Sequence, residues 1–203
     1  MSDVELRMLA AQHCELRAQP LADGANGPPK IVGYGAVFDT RSDLIAGMFY
    51  EEFAPGAFDG VLTQDVRGLF NHDANYLLGR IGSKTLRLWV DGRGLGYEID
   101  PPNTQTIRDL VLTPLERGDL SGSSIKMIVG KDTWREEANG AVVRTILRVD
   151  QLLDVGPVAF PAYPDAKAAQ RSLDGWKQSQ ADQDMVRHVN ERAARQRYLD
   201  MNA

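Results

Sequence analysis

Cysteine occurs once in the 203 residues, at Cys14. An intramolecular disulfide is therefore excluded, and a reducing compartment is the natural setting. Histidine is nearly as scarce: His13, His72 and His188 lie far apart, and none sits in an HxxxH or CxxC spacing. Zinc chemistry is not expected, and no other metal or cofactor is either. No GxxxxGK[ST] run is present, and "DGRGLG" joins two strands rather than opening a helix, so no phosphate loop is expected. No apolar run approaches the ~18 residues of a membrane span. The opening "MSDVELR" carries acids where a secretion signal has an apolar core. The expectation is a chain that is cytoplasmic where it is made, with no membrane partner. Basic charge is also in the minority, with 23 Lys and Arg against 28 Asp and Glu and a net charge of −5. A surface built for nucleic acid, and a specific nucleic-acid partner, are not expected.

What is present is ordinary globular material: 43% hydrophobic and 25% charged residues. The first 160 or so residues read as strands and turns. "VELRMLAAQHCELRA" reads as a strand or two; His13 and Cys14 then point to opposite faces, leaving Cys14 as a small buried hydrophobe rather than half of a nucleophile pair. "IVGYGAVFD" is a strand in which Gly33 and Gly35 mark a bend or a close backbone approach. A helix is expected after Pro55, and a short strand in "VRGLFNHD". "KTLRLWVDGRGLGYEID" is a hairpin. "QTIRDLVLTPLERGD" reads as a helix capped by Thr104, with Ile107, Leu110, Val111 and Leu115 as its apolar stripe and Pro114 shortening or bending it. Two or three strands follow, turning at Asn139-Gly140 and ending in the apolar "QLLDVGPVAF". Residues 1–164 make one domain. Residues 165–203 change composition to Gln, Asp, Arg and Ala and read as a polar helix or partly disordered tail. That tail is either solvated or a docking or oligomerisation element.

With metals and phosphate loops set aside, nucleophilic catalysis remains. A serine needs a base to take its proton, and the base needs a third group to fix its tautomer. His72, at a strand end beside a polar turn, is the best-placed histidine; His13 is mid-strand and His188 lies in the tail. "GDLSGSSIKM" puts Ser121, Ser123 and Ser124 between a helix stop and an apolar strand. Gly122 there either frees backbone amides for an oxyanion or makes a tight turn. Alternation favours Ser124, because Ile125 then faces the core.

The elements "GYGAVFDT", "FYEEFAPGAF", "LFNHDANYLLGR", "TLRLWVDGRGLGYEID", "LERGDLSGSSIKM" and "LLDVGPVAFPAYPDA" together resemble the prohead serine proteases of tailed bacteriophages, with relatives in gene-transfer-agent particles. The likeness runs from about Ile31 to Ser172. It implies an α+β, mostly β fold similar to herpesvirus assemblin, a closed or nearly closed β-barrel with flanking helices, to which the polar C-terminal helix is added. It also implies a nucleophile at Ser124, a histidine at His72 and an acid at Asp154 in "LLDVGPVAF". Asp73 and Asp150 are the rival acids, and Arg80 suits either substrate binding or structure. Lys126 and Met127 depart from the family pattern, which has a small residue and an aromatic there. The implied activity is endoproteolysis inside the prohead, in the bacterial host cytoplasm. The implied partners are the N-terminal region of the major capsid protein, a scaffold protein, and the protease itself through autoprocessing. The alternative is a non-catalytic assembly or scaffolding protein on the same fold. A small-molecule esterase is a weaker one, since the GxSxG elbow is missing.

Overall fold

Alternating apolar residues make most of the first unit a set of strands, and the ladder between them fixes where each side chain points. The computed structural model describes residues 4–9, 11–22, 26–159 and 167–201. It divides into residues 1–166 and 167–203. The strands of the first unit are β1 (Val4–Leu9), β2 (Arg17–Gln19), β3 (Lys30–Val37), β4 (Tyr50–Phe53), β5 (Arg67–Leu69), β6 (Leu77–Arg80), β7 (Leu86–Val90), β8 (Gly94–Ile99), β9 (Gly122–Glu136) and β10 (Val142–Val158). They form a six-stranded sheet in the order β1-β9-β10-β5-β6, with β4 also on β10, and a four-stranded sheet in the order β2-β3-β8-β7. Among the described residues neither sheet closes into a barrel through its ladder. Both contribute to one core, in which Ile31, Leu95, Tyr97 and Ile99 of one sheet join Ile125, Met127 and Val155 of the other. Gly35 sits at a register shift in β3, and a Cβ there would lie 2.7 Å from Ile125. The glycine therefore serves the close approach of the two sheets.

The apolar carboxyl-terminal strand is central, as its composition implies: β10 pairs with β9, β4 and β5. Asn139 and Gly140 turn the chain between β9 and β10, with Gly140 at φ 80° and the Asn139 side chain accepting from the Ala141 amide at 2.9 Å. The helix expected at 105–117 forms in three parts: α2 (Gln105–Ile107), a π turn (Arg108–Leu112) and α3 (Thr113–Arg117). Thr104 caps it. Pro114 has no N–H, and its ring crowds the carbonyl four residues back. The preceding turn widens, so that the Thr113 amide bonds to the Arg108 carbonyl. That wide turn breaks the 3.6-residue period and leaves Leu110 41% exposed, off the stripe assigned to it from spacing.

Two other local expectations fail. No helix follows Pro55. Gly56 at φ 86° stops right-handed continuation, and the chain rolls through turns that bury Ala57, Phe58 and Val61 completely. Cys14 and His13 lie in a single helical turn, α1 (Ala11–Cys14), not in a strand. Glu15 at φ 45° ends that turn, and Arg93 holds the His13 carbonyl at 3.0 Å. In the second unit, α4 (Lys167–Met201) runs for 35 residues with a largely exposed, polar surface. No helix among the described residues is long and apolar enough to cross a membrane.

Candidate active site

Gly122 begins β9 rather than making a turn; it pairs with Val158, whose carbonyl a Cβ would approach to 2.9 Å. "SSIKM" is therefore strand, and its side chains alternate. Ser123, Ile125 and Met127 are wholly buried on the core face, where the Ser123 hydroxyl meets the Tyr97 hydroxyl at 3.0 Å. Ser124 and Lys126 share the other face. Ser124 is 3% exposed and Lys126 is half-buried.

Asp154 reaches the face of Ser124 through a β-bulge. Leu152 pairs with Met127 on the core side, yet Asp154 pairs with Lys126 on the other. Without the extra residue, Leu153, positions 152 and 154 would point the same way. The bulge lets an apolar strand bury Leu152 and still deliver a carboxylate to the opposite face. Asp154 is itself 4% exposed.

His72 follows β5, which lies beside β10. A Cβ at Gly156, the register partner of Ser124, would sit 2.1 Å from the Leu69 carbonyl. Only glycine lets the histidine-bearing strand come this near. Asn71 and His72 both take left-handed backbone, at φ 53° and 57°. Asn and His tolerate that region better than bulkier residues, at roughly 1 kcal/mol or more each. Asn71 ties the bend to the end of β10: its amide donates to the Pro157 carbonyl at 3.0 Å, and its side-chain oxygen accepts from the Ala159 amide at 2.8 Å. Sequence reading passed over Asn71. The signal was an asparagine, a residue that tolerates left-handed backbone, at the strand end just before the histidine.

These three elements bring Ser124, His72 and Asp154 into one line. The Ser124 Oγ lies 2.6 Å from His72 Nε2. On the other side of the ring, Nδ1 bonds to Asp154 Oδ1. With the proton on Nδ1 the ring donates to the carboxylate, and Nε2 is left free to accept from the serine. The histidine side chain is 13% exposed and the aspartate side chain 5%, so the chain of bonds runs from a sheltered charge toward solvent. The Ser124 hydroxyl also lies 3.0 Å from the Arg7 carbonyl of β1. Having one proton, it has two acceptors to choose between. A hydroxyl, an imidazole and a carboxylate in this order can take a proton from the hydroxyl, hold it on the ring, and stabilise the resulting charge.

The other candidates have other partners. Asp73 accepts from the Asn75 amide at 2.8 Å and Asp150 pairs with Arg148 at 2.8 Å. Arg80 is bound to Asp65 at 2.6 Å, and this arginine holds the Asp65 carboxyl down at about 2. His188 is exposed and lies 3.5 Å from Glu191. Burial pushes the Cys14 thiol up to about 11, which suits an inert buried side chain. Among the described residues, no three His, Cys, Asp or Glu gather as metal ligands would.

Residues 13–179 match a family model described as caudovirus prohead serine protease. No curated protein and no solved structure matches the chain.

Proposed function

The chain belongs to the caudovirus prohead serine protease family, and on that premise we propose that it is a Ser-His-Asp endopeptidase acting on capsid-precursor proteins within the prohead. The carrying observation is the 2.6 Å contact between Ser124 Oγ and His72 Nε2, with Asp154 behind the ring. The hydroxyl hydrogen turns from the Arg7 carbonyl to His72 Nε2. Ser124 Oγ then attacks the scissile carbonyl as the proton passes to the ring. Asp154 accepts from Nδ1–H throughout, which keeps Nε2 basic and steadies the imidazolium. The same proton is given to the leaving amine as the tetrahedral intermediate collapses. Water, deprotonated by His72, then releases the acyl group from Ser124. Substrates in this reading are the N-terminal region of the major capsid protein, a scaffold protein where one is separate, and the protease itself.

The test is co-expression with the cognate capsid protein, read as precursor processing. Ser124→Ala is expected to lower turnover by 10³-fold or more, whereas Ser123→Ala, whose hydroxyl faces Tyr97 in the core, keeps processing. A serine-reactive phosphonate should label the wild type and not Ser124→Ala. Processing that survives Ser124→Ala unchanged would favour the non-catalytic assembly role instead.

A further inference from the structure

Lys126 has no explanation in the chemistry above. It stands on the face of Ser124, two residues along the same strand, which is about 7 Å. It is half-buried, and its side chain makes no hydrogen bond or ion pair among the described residues. Its cross-strand neighbour is Asp154, whose carboxylate is engaged by His72 instead. The same row continues across the sheet. Asp154 pairs in register with Arg67 of β5, and Arg67 with Arg80 of β6. Lys126 and Arg67 thus flank the carboxylate of the proposed triad, with Arg80 one strand further out. Asp65 is ion-paired with both Arg67 and Arg80, at 3.4 Å and 2.6 Å. In a chain with a net charge of −5, a basic row beside the nucleophile is a local exception.

A substrate carboxylate arriving beside this lysine gains a charge-assisted hydrogen bond that no protein carboxylate among the described residues supplies. An extended substrate peptide on this face presents alternate side chains at the same spacing of about 7 Å. A carboxylate within about two residues of the scissile bond then falls within the span of a lysine side chain. We infer that Lys126 is a specificity residue that selects substrates with Asp or Glu close to the cleaved bond, with Arg67 extending the positive field. This rests on the protease reading with Ser124 as nucleophile. A positive field at this place also raises the local concentration of acidic segments before they dock.

The experiment uses the full chain and a peptide library varied at the two positions on each side of the cleaved bond. Wild type is expected to cleave Glu or Asp peptides with a kcat/KM about tenfold above their Gln or Asn counterparts, as a charge-assisted hydrogen bond would give. Lys126→Met should bring that ratio near one, Lys126→Arg should keep it, and Lys126→Glu should turn it toward Lys peptides. Equal rates for acidic and amide peptides with wild type overturn the inference, as does a ratio that Lys126→Met leaves unchanged. Phosphonate labelling of Ser124 separates the two levels. A chain that labels and cleaves without acidic preference overturns this inference alone. A chain that neither labels nor cleaves overturns the protease reading and this inference with it.

Discussion

Two networks of buried polar groups share the β1-β9-β10 region, and they differ in kind. One is Ser124, His72 and Asp154, where a proton can move along the line of hydrogen bonds. The other is Arg7, Arg144, Glu5, Glu51 and Asp132. There Arg144 holds Glu5 at 2.7 Å, Glu51 at 3.0 Å and Asp132 at 2.6 Å, and Arg7 closes the set on Glu5 and Glu51. Burial works against the charge on both arginines, but the carboxylates around them outweigh it and raise their pKa values further. Guanidinium groups held this way do not titrate, so the cluster fixes structure and transfers nothing. The two networks meet at Arg7: its side chain shares the core face with Ile125, while its carbonyl faces the Ser124 hydroxyl. Burial alone therefore does not mark a catalytic site. What separates the proposed triad is an imidazole placed between a hydroxyl and a carboxylate.

Asp154→Asn attacks the first network at its base. The amide can donate to His72 Nδ1, which forces the proton onto Nε2 and removes the acceptor that Ser124 needs. Turnover of a peptide substrate is expected to fall about 10²- to 10⁴-fold with the fold intact, by near-ultraviolet circular dichroism. Unchanged turnover would remove Asp154 from the proposed triad. Arg144→Met attacks the second network and should give the opposite pattern. It leaves Glu5 and Glu51 with one cation between them in a dry place, at a cost of about 3–5 kcal/mol in urea unfolding. Arg144 touches none of Ser124, His72 or Asp154, so peptide turnover by the folded fraction should change far less than stability. A stability loss under 1 kcal/mol would mean that the cluster is better hydrated than its burial implies. Adding Glu5→Leu to Arg144→Met should recover part of the loss, because the pair is then removed rather than broken.

The networks were unequally legible. Alternation along "SSIKM" separates Ser123 from Ser124, and the strand-end place of His72 was visible, because both depend on local periodicity. The bulge at Leu153 was not visible: it is set by the register of β10 against β9, a long-range matter, and plain alternation would put Asp154 on the face of Leu152. Asp154 entered through resemblance alone. The ion cluster was wholly hidden, since Glu5, Glu51 and Arg144 come from three distant strands and look like solvated charges in sequence. The failed helix after Pro55 and the misplaced Leu110 have a related cause. Single residues, Gly56 and Pro114, overrode periodic patterns that were otherwise sound.

Glu51 and Glu52 reduce the comparison to adjacent positions on one strand. Glu51 turns inward and is 2% exposed, whereas Glu52 turns outward to Arg135 at 2.6 Å. The hydrogen bond from Arg135 holds the Glu52 carboxyl below its ordinary 4.5. Its folded-state pKa being depressed, its contribution is complete above about 4.5 and is lost as pH falls through the lower folded value. For a pair this open to solvent the contribution is under about 1 kcal/mol. Glu52→Gln should therefore flatten the slope of unfolding free energy between about pH 5 and pH 3, and leave stability at pH 7 lower by less than 1 kcal/mol. A slope identical to wild type would show that Arg135 contributes nothing through charge there. A fall at pH 7 as large as that of Arg144→Met would place Glu52 in the buried cluster, and the line drawn between these neighbouring glutamates would have to move outward by one residue.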